Sequence, residues 1–152
     1  MTLIKTSTLW IAALLALASA PAPAQDRPQP RLPLIEISAG MYRIQAEVAI
    51  SEAQQQTGMM FRRTMGENEG MLFANDEPGL RCFWMHNTLI PLTAAFVDDD
   101  GTIVNLADMA PQTDTSHCSI KPVRFVLEMR QGWFAKRGLK AGLKLRGRPF
   151  GN

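Results

Sequence analysis

The sequence has no Gly-x-Ser-x-Gly turn, no His-Glu-x-x-His pair, no phosphate-cradling glycine loop and no dinucleotide fingerprint. The familiar signatures of serine hydrolases, zinc proteases and nucleotide binders are therefore missing. Histidine and cysteine are scarce, with two of each in 152 residues. The acidic run Asp98-Asp99-Asp100-Gly101 lacks the alternating ligands of a calcium loop, and Met109 stands where a twelfth-position Glu should be. It reads instead as a hairpin turn. No apolar run reaches the roughly 20 residues of a spanning helix. The longest, Leu9 to Ala20, has twelve.

That run, preceded by Lys5 and followed by the small-x-small site Ala22-Pro23-Ala24, predicts a secretory signal peptide over residues 1–24, with Gln25 as the new N-terminus. Cleavage leaves 128 residues, which suits one domain. Of the sixteen basic residues only Lys5 is lost, against fourteen acidic ones, so the mature net charge is +1. Such balance does not predict a nucleic-acid partner. After Glu128, however, Arg130, Lys136, Arg137, Lys140, Lys144, Arg146 and Arg148 follow without a single acid. We read them as a solvated face and tail, with contact to phosphates or a membrane surface as the alternative. A periplasmic or secreted location favours a disulfide between Cys82 and Cys118. It would close a loop of about 36 residues and stabilise the fold by roughly 3–4 kcal/mol.

Residues 25–33, with three prolines, read as an extended and poorly packed linker. A single domain is expected over 34–147, and a tail over 148–152. Strands are expected at Leu34–Ser38, Tyr42–Ile50, Met71–Ala74, Arg81–Met85, Thr93–Val97, Thr102–Met109, Val123–Met129 and near Leu143–Arg146. Residues 66–70 should form a loop, residues 75–79 and 98–101 turns, and residues 110–122 a polar loop. Ser51 and Gln54 make a capping box before a short helix that stops at Gly58. A second short helix is expected over Gln131–Arg137, ended by Gly138. The fold class is thus mostly β with two short helices (α+β), as an antiparallel sandwich or partly closed barrel.

The densest segment is Phe83 to Leu92 (FWMHNTLIPL). A strand leads into Asn87 and Thr88, whose side chains turn the backbone. The segment either fixes a corner of the fold or lines a pocket with Trp84, Asn87 and Thr88, and the corner is the plainer reading. Cys82, Met85, His86, His117 and Cys118 are candidate soft ligands, but a disulfide would remove the thiols. Met59, Met60, Met71, Met109 and Met129 sit among apolar residues and read as core. No metal site and no cofactor are expected.

The runs Gly58-Met59-Met60-Phe61-Arg62, Glu69 to Phe73, Phe83 to Leu92, and Phe125-Val126-Leu127-Glu128 with Gly132-Trp133 and Gly138 resemble the domain of unknown function 192 family, over about Leu34 to Leu145. The resemblance implies a compact β-rich fold, often exported, and no activity. It marks Arg62, Glu69, Trp84, Met85, Asn87, Thr88 and Asp98 as positions of the family pattern without assigning roles. His86 departs from the family's usual Lys, and His117-Cys118-Ser119 from its Pro-Cys-Pro type.

The leading expectation is a periplasmic binding or accessory domain for an unknown small molecule or protein. Its pocket would be floored by Trp84 and edged by Arg62, Asn87 and Thr88, with Arg62 meeting a carboxylate or phosphate. One alternative is a hydrolase or transferase using Glu69, Asp98 or Glu128. Another is a Cu(I) carrier using Met85, His86 and His117. The intact mass of protein recovered from the periplasm without reductant should match Gln25 to Asn152 less two hydrogens. A mass retaining residues 1–24, or two free thiols, would refute leader cleavage and oxidation respectively.

Overall fold

The computed structural model describes residues 26–150; the expected signal peptide over residues 1–24, Gln25, and residues 151–152 of the expected tail lie outside the described residues. Alternation of apolar residues produces nine strands. They are β1 (Leu34–Ala39), β2 (Tyr42–Ala49), β3 (Glu69–Gly79), β4 (Cys82–Phe83), β5 (Leu92–Val97), β6 (Ile103–Met109), β7 (His117–Cys118), β8 (Val123–Arg130) and β9 (Leu145–Arg146). Two short helices, α1 (Glu52–Thr57) and α2 (Trp133–Lys136), complete the fold. Seven strands form one curled sheet in the order β6-β5-β8-β3-β2-β1-β9, and β4 pairs with β7 in a small second sheet.

The large sheet is a partly closed barrel. Beyond its hydrogen-bonded order, residues 101–103 meet residues 142–145 from the opposite end. Ile103 N–H donates to Leu143 C=O, Leu145 N–H to Gly101 C=O and Gly142 N–H to Ile103 C=O, each at 2.8 Å. Gly101 is required at this seam. Its φ is +89°, and a Cβ there would lie 2.4 Å from the Leu145 oxygen. Ile37, Ile44, Leu72, Val97, Phe125 and Leu127 fill the inside of the curl, and Trp133 and Phe134 of α2 plug it.

The outer face carries a second core. Period-two alternation sends Met71 and Phe73 of β3, Leu92, Ala94 and Phe96 of β5, and Val126 of β8 outward. Met59, Met65, Met85 and Ile90, from segments outside the sheet, cover them. The Cys82–Cys118 disulfide ties part of this cover together, with the two residues directly opposite in the β4–β7 pair.

Several expectations are corrected. The sheet is not wholly antiparallel: β2 and β3 run parallel, with α1 in the crossover that such a pair needs. The expected loop at residues 66–70 gives way to strand from Glu69, and the turn expected at residues 75–79 is the continuation of β3. Asn75 Nδ2 donates to Arg124 C=O and Arg124 Nε to Asn75 C=O, while a register shift between Ala74 and Gly79 absorbs the irregularity. The strand expected at Arg81–Met85 shrinks to two residues, and the polar loop at residues 110–122 contains β7. α2 is four residues long, because Gly132 at φ +81° precedes its first turn. α1 forms as expected, with both hydrogen bonds of the capping box.

The described part of the linker is docked rather than loose. Gln29 donates to the carbonyls of Gln54 and Gly58, Leu32 N–H donates to Glu47 Oε2 at 2.8 Å, and Arg31 reaches Glu47 Oε1 at 2.6 Å. The expected tail is also partly buried, since Phe150 packs edge-on against Phe125 in the inner core.

Glu47 organises this docking. It lies on the sheet's outer face, buried, where Arg62 Nη1 and Nη2 grip its two oxygens at 2.6 and 2.7 Å. Burial pushes its carboxyl up, but hydrogen bonds from Arg62, Leu32 N–H and Arg31, together with the Arg62 charge, hold it below the usual value. Stability from Glu47 is thus present above about pH 4.5 and lost as pH falls through its lowered value. At pH 7 we expect Arg62→Met to lower unfolding stability by about 3–5 kcal/mol, because Glu47 loses its bidentate partner. The double variant Arg62→Met/Glu47→Met should recover most of that in urea melts; a loss equal to the sum of the two single-variant losses would show that the two residues do not act as a pair.

Candidate functional site

A small cavity of about 40 Å³ opens between α1, the segment after it and the start of the Phe83–Leu92 run. Its lining includes Gln56, Met59, Phe73, Phe83, Trp84, Thr88 and Glu128. Phe73 and Phe83 meet edge to face at 4.7 Å and form an aromatic wall. Trp84 is 52% exposed at the rim and stacks on His86 at 5.0 Å. His86 is in turn held by Asp114, with Nδ1 and Oδ1 2.8 Å apart.

Glu128 distinguishes the cavity. It projects from β8 to the outer face, flanked across the sheet by Met71 of β3 and Ala94 of β5. The residue is 3% exposed, and among the described residues nothing hydrogen-bonds or ion-pairs with its carboxyl. Desolvation alone pushes that carboxyl up to about 8. At neutral pH it is mostly protonated, able to donate as well as accept a hydrogen bond.

The backbone beside the cavity is held in a rare conformation. Phe61 and Asn87 both have positive φ, 62° and 53°, and Phe61 N–H donates to Asn87 C=O at 2.8 Å. Asn tolerates this region; for Phe it is unusual and strained. The clasp joins the segment carrying Met59 to the segment carrying Trp84 and Thr88. Thr88 closes the turn, its N–H donating to Met85 C=O at 3.0 Å and its hydroxyl to His86 C=O at 3.3 Å.

Of the residues singled out in the sequence, the structure brings Trp84 and Thr88 together on this cavity. Asn87 contributes backbone geometry and Met85 is fully buried in the outer core; neither lines it. Arg62 lies elsewhere, its guanidinium committed to Glu47, lining a separate recess with Gln29, Arg31 and Arg63. Glu69 accepts from Gly66 N–H at 3.0 Å and faces Arg31. Asp98 caps its own turn and pairs with Lys121 at 2.6 Å. The Lys121 hydrogen bond, then the one from Asp99 N–H, holds the Asp98 carboxyl below its usual value. Of Glu69, Asp98 and Glu128, only Glu128 lines the cavity beside Trp84 and Thr88. Both thiols are consumed in the disulfide, and among the described residues no group of three His, Cys, Asp or Glu side chains is placed to hold a metal.

Sequence reasoning overlooked Glu128 as a pocket residue, and the aromatic wall with it. The available signal was a lone acid inside the apolar run Phe125 to Met129.

A family model described as DUF192, Uncharacterized ACR, matches residues 34–147. Among solved structures, a protein of unknown function from Novosphingobium aromaticivorans is 32% identical with a TM-score of 0.74, covering 82% of this chain and 94% of its own. A candidate transcription regulator from Sinorhizobium meliloti is 31% identical with a TM-score of 0.70, covering 74% and 90% respectively. No curated protein sequence matches the chain.

Between about pH 4.5 and 8 native Glu128 keeps a proton that the unfolded chain has released, so rising pH favours unfolding. Wild-type stability should fall by a few kcal/mol across that window and level off above it. Glu128→Gln, uncharged and similar in shape, should abolish this fall in urea melts at pH 5, 7 and 9. An identical pH dependence in the variant would mean that the carboxyl is solvated.

Proposed function

The chain belongs to the DUF192 family, and from that premise we propose an exported binding or accessory domain whose small polar-aromatic pocket, built on Glu128, Thr88 and Trp84, takes the ammonium tip of a ligand. The observation that carries this reading is Glu128: a carboxyl at the floor of a cavity, with no protein partner among the described residues. An ammonium group beside it would supply the missing opposite charge and favour the carboxylate. The faces of Phe83 and Trp84 would add cation–π attraction. A cavity of about 40 Å³ admits a few waters or one such group, not a whole substrate. The ligand's body would therefore lie outside, over Trp84.

Export is supported by the leader-like N-terminus and by the disulfide. No helix among the described residues is long and apolar enough to cross a membrane. The description of the Sinorhizobium relative as a regulator is not extended to this chain, because its charge is balanced and nucleic acid is not part of the reading.

The test is a titration with n-butylammonium and, separately, 1-butanol, followed by NMR at pH 7. The amine should give saturable shifts of the Trp84 indole and Thr88 amide, tighten as pH rises from 6 to 8, and lose about tenfold or more in affinity in Glu128→Gln. Equal binding of the alcohol, or an unaffected variant, would rule out the ammonium reading.

A further inference from the structure

The largely unopposed cations after Glu128 have a structural destination. Arg130, at the end of β8, and Lys136 and Arg137, around α2, line one cavity of about 450 Å³ together with Met65, Glu67, Gln131 and Trp133. Its volume falls in the range of small-molecule sites. Three cations face a single acid, and that acid is already engaged, since Arg137 Nη2 holds Glu67 Oε1 at 2.9 Å.

Each cation is placed differently. Arg137 is largely buried and locked, its guanidinium 4.4 Å from the Trp133 ring centre and 5.1 Å from that of Tyr42. Its Nη1 donates to Trp133 C=O at 3.2 Å, and its Nε is buried without a hydrogen-bond partner. Arg130 donates from Nη2 to the Met65 carbonyl, a neutral acceptor that leaves its charge uncompensated. The Lys136 ammonium is exposed and has no acidic partner among the described residues. The arrangement combines a fixed guanidinium, a second guanidinium with unused donors, and an exposed ammonium at the edge. Guanidinium forks match the oxygens of a phosphoryl group, and surplus positive charge suits its dianion.

We propose that this cavity is an oxyanion site, separate from the Glu128 pocket, that receives the phosphoryl group of a phosphate monoester. Arg130 and Lys136 supply direct contacts, and Arg137 acts as the fixed positive floor. The headgroup of phosphatidate is also a phosphate monoester, so the experiment separates the two sources.

The probe is phenyl phosphate, titrated calorimetrically into the wild-type protein at low salt, where charge–charge attraction is least screened. Saturable binding should weaken about tenfold or more in Arg130→Gln and in Lys136→Gln, the latter an exposed change away from the core. Lys140→Gln is the control: it belongs to the same basic stretch but lines a neighbouring recess with Phe134 and Leu139. It should change affinity less than about twofold. Absence of saturation, or an equal loss in the control, would overturn the site in favour of a diffuse positive field. In a second arm, sedimentation with vesicles of phosphatidate in phosphatidylcholine that phenyl phosphate displaces would identify the lipid headgroup as an occupant of this same site. Vesicle binding that phenyl phosphate cannot displace, without calorimetric binding, would assign the basic surface to membrane adsorption and overturn the proposal.

Discussion

The structure depends on covering the outer face of a curled sheet with segments that have little regular structure of their own. Two carboxylates are trapped under that cover, and a desolvated carboxylate is costly unless donors surround it. Glu47 has four donor contacts, two from Arg62 and one each from Arg31 and the Leu32 amide. Those bonds fasten the incoming chain and the segment after α1 to β2. Glu128, on the same face, has none, and its carboxyl is left to hold its proton. The same burial thus yields a structural clamp in one place and a chemically unspent group in the other; the difference is the presence of a guanidinium.

Local signals in the sequence were sufficient where neighbours in the chain decide the structure. The Ser51–Gln54 capping box, the hairpin turn at Asp98 to Gly101 and most strand alternation are of this kind. The disulfide was legible from the expected compartment and from count, as Cys82 and Cys118 had no other cysteines to choose from. What failed depended on partners distant in sequence. Asn75 to Gly79 carries turn residues, yet β8 offers hydrogen bonds that keep the segment in the sheet. Glu47 sits on the polar side of an alternating strand and reads as solvent-facing; only the arrival of Arg62 and the N-terminal arm shows that this side is covered. Phe150 likewise gives no local sign that the chain returns to the core.

The candidate site was legible in half. Trp84 and Thr88 were found because the Phe83–Leu92 run concentrates aromatic and turn-forming residues. Arg62 was read as a ligand contact because the family pattern marks it and an arginine suits a carboxylate or phosphate, whereas the fold supplies a carboxylate 15 residues upstream. Asn87 was recognised as a turn former, but its link to Phe61, across two segments with positive φ, is a tertiary fact.

The alternation of β8 explains how two proposed sites of opposite preference can be close in sequence. Val126, Glu128 and Arg130 share the outer face at successive two-residue steps, about 7 Å apart. Along those steps the surroundings change from sealed to open. Val126 is fully buried, Glu128 reaches a narrow cavity, and Arg130 is exposed. Arg130 turns to the Met65 carbonyl rather than to Glu128, so the carboxyl gains no opposing charge from its strand neighbour. Had the guanidinium turned inward, Glu128 would have become a second Glu47, ionised and occupied. The Met65 carbonyl, by holding Arg130 outward, keeps the carboxyl uncommitted and the cation available.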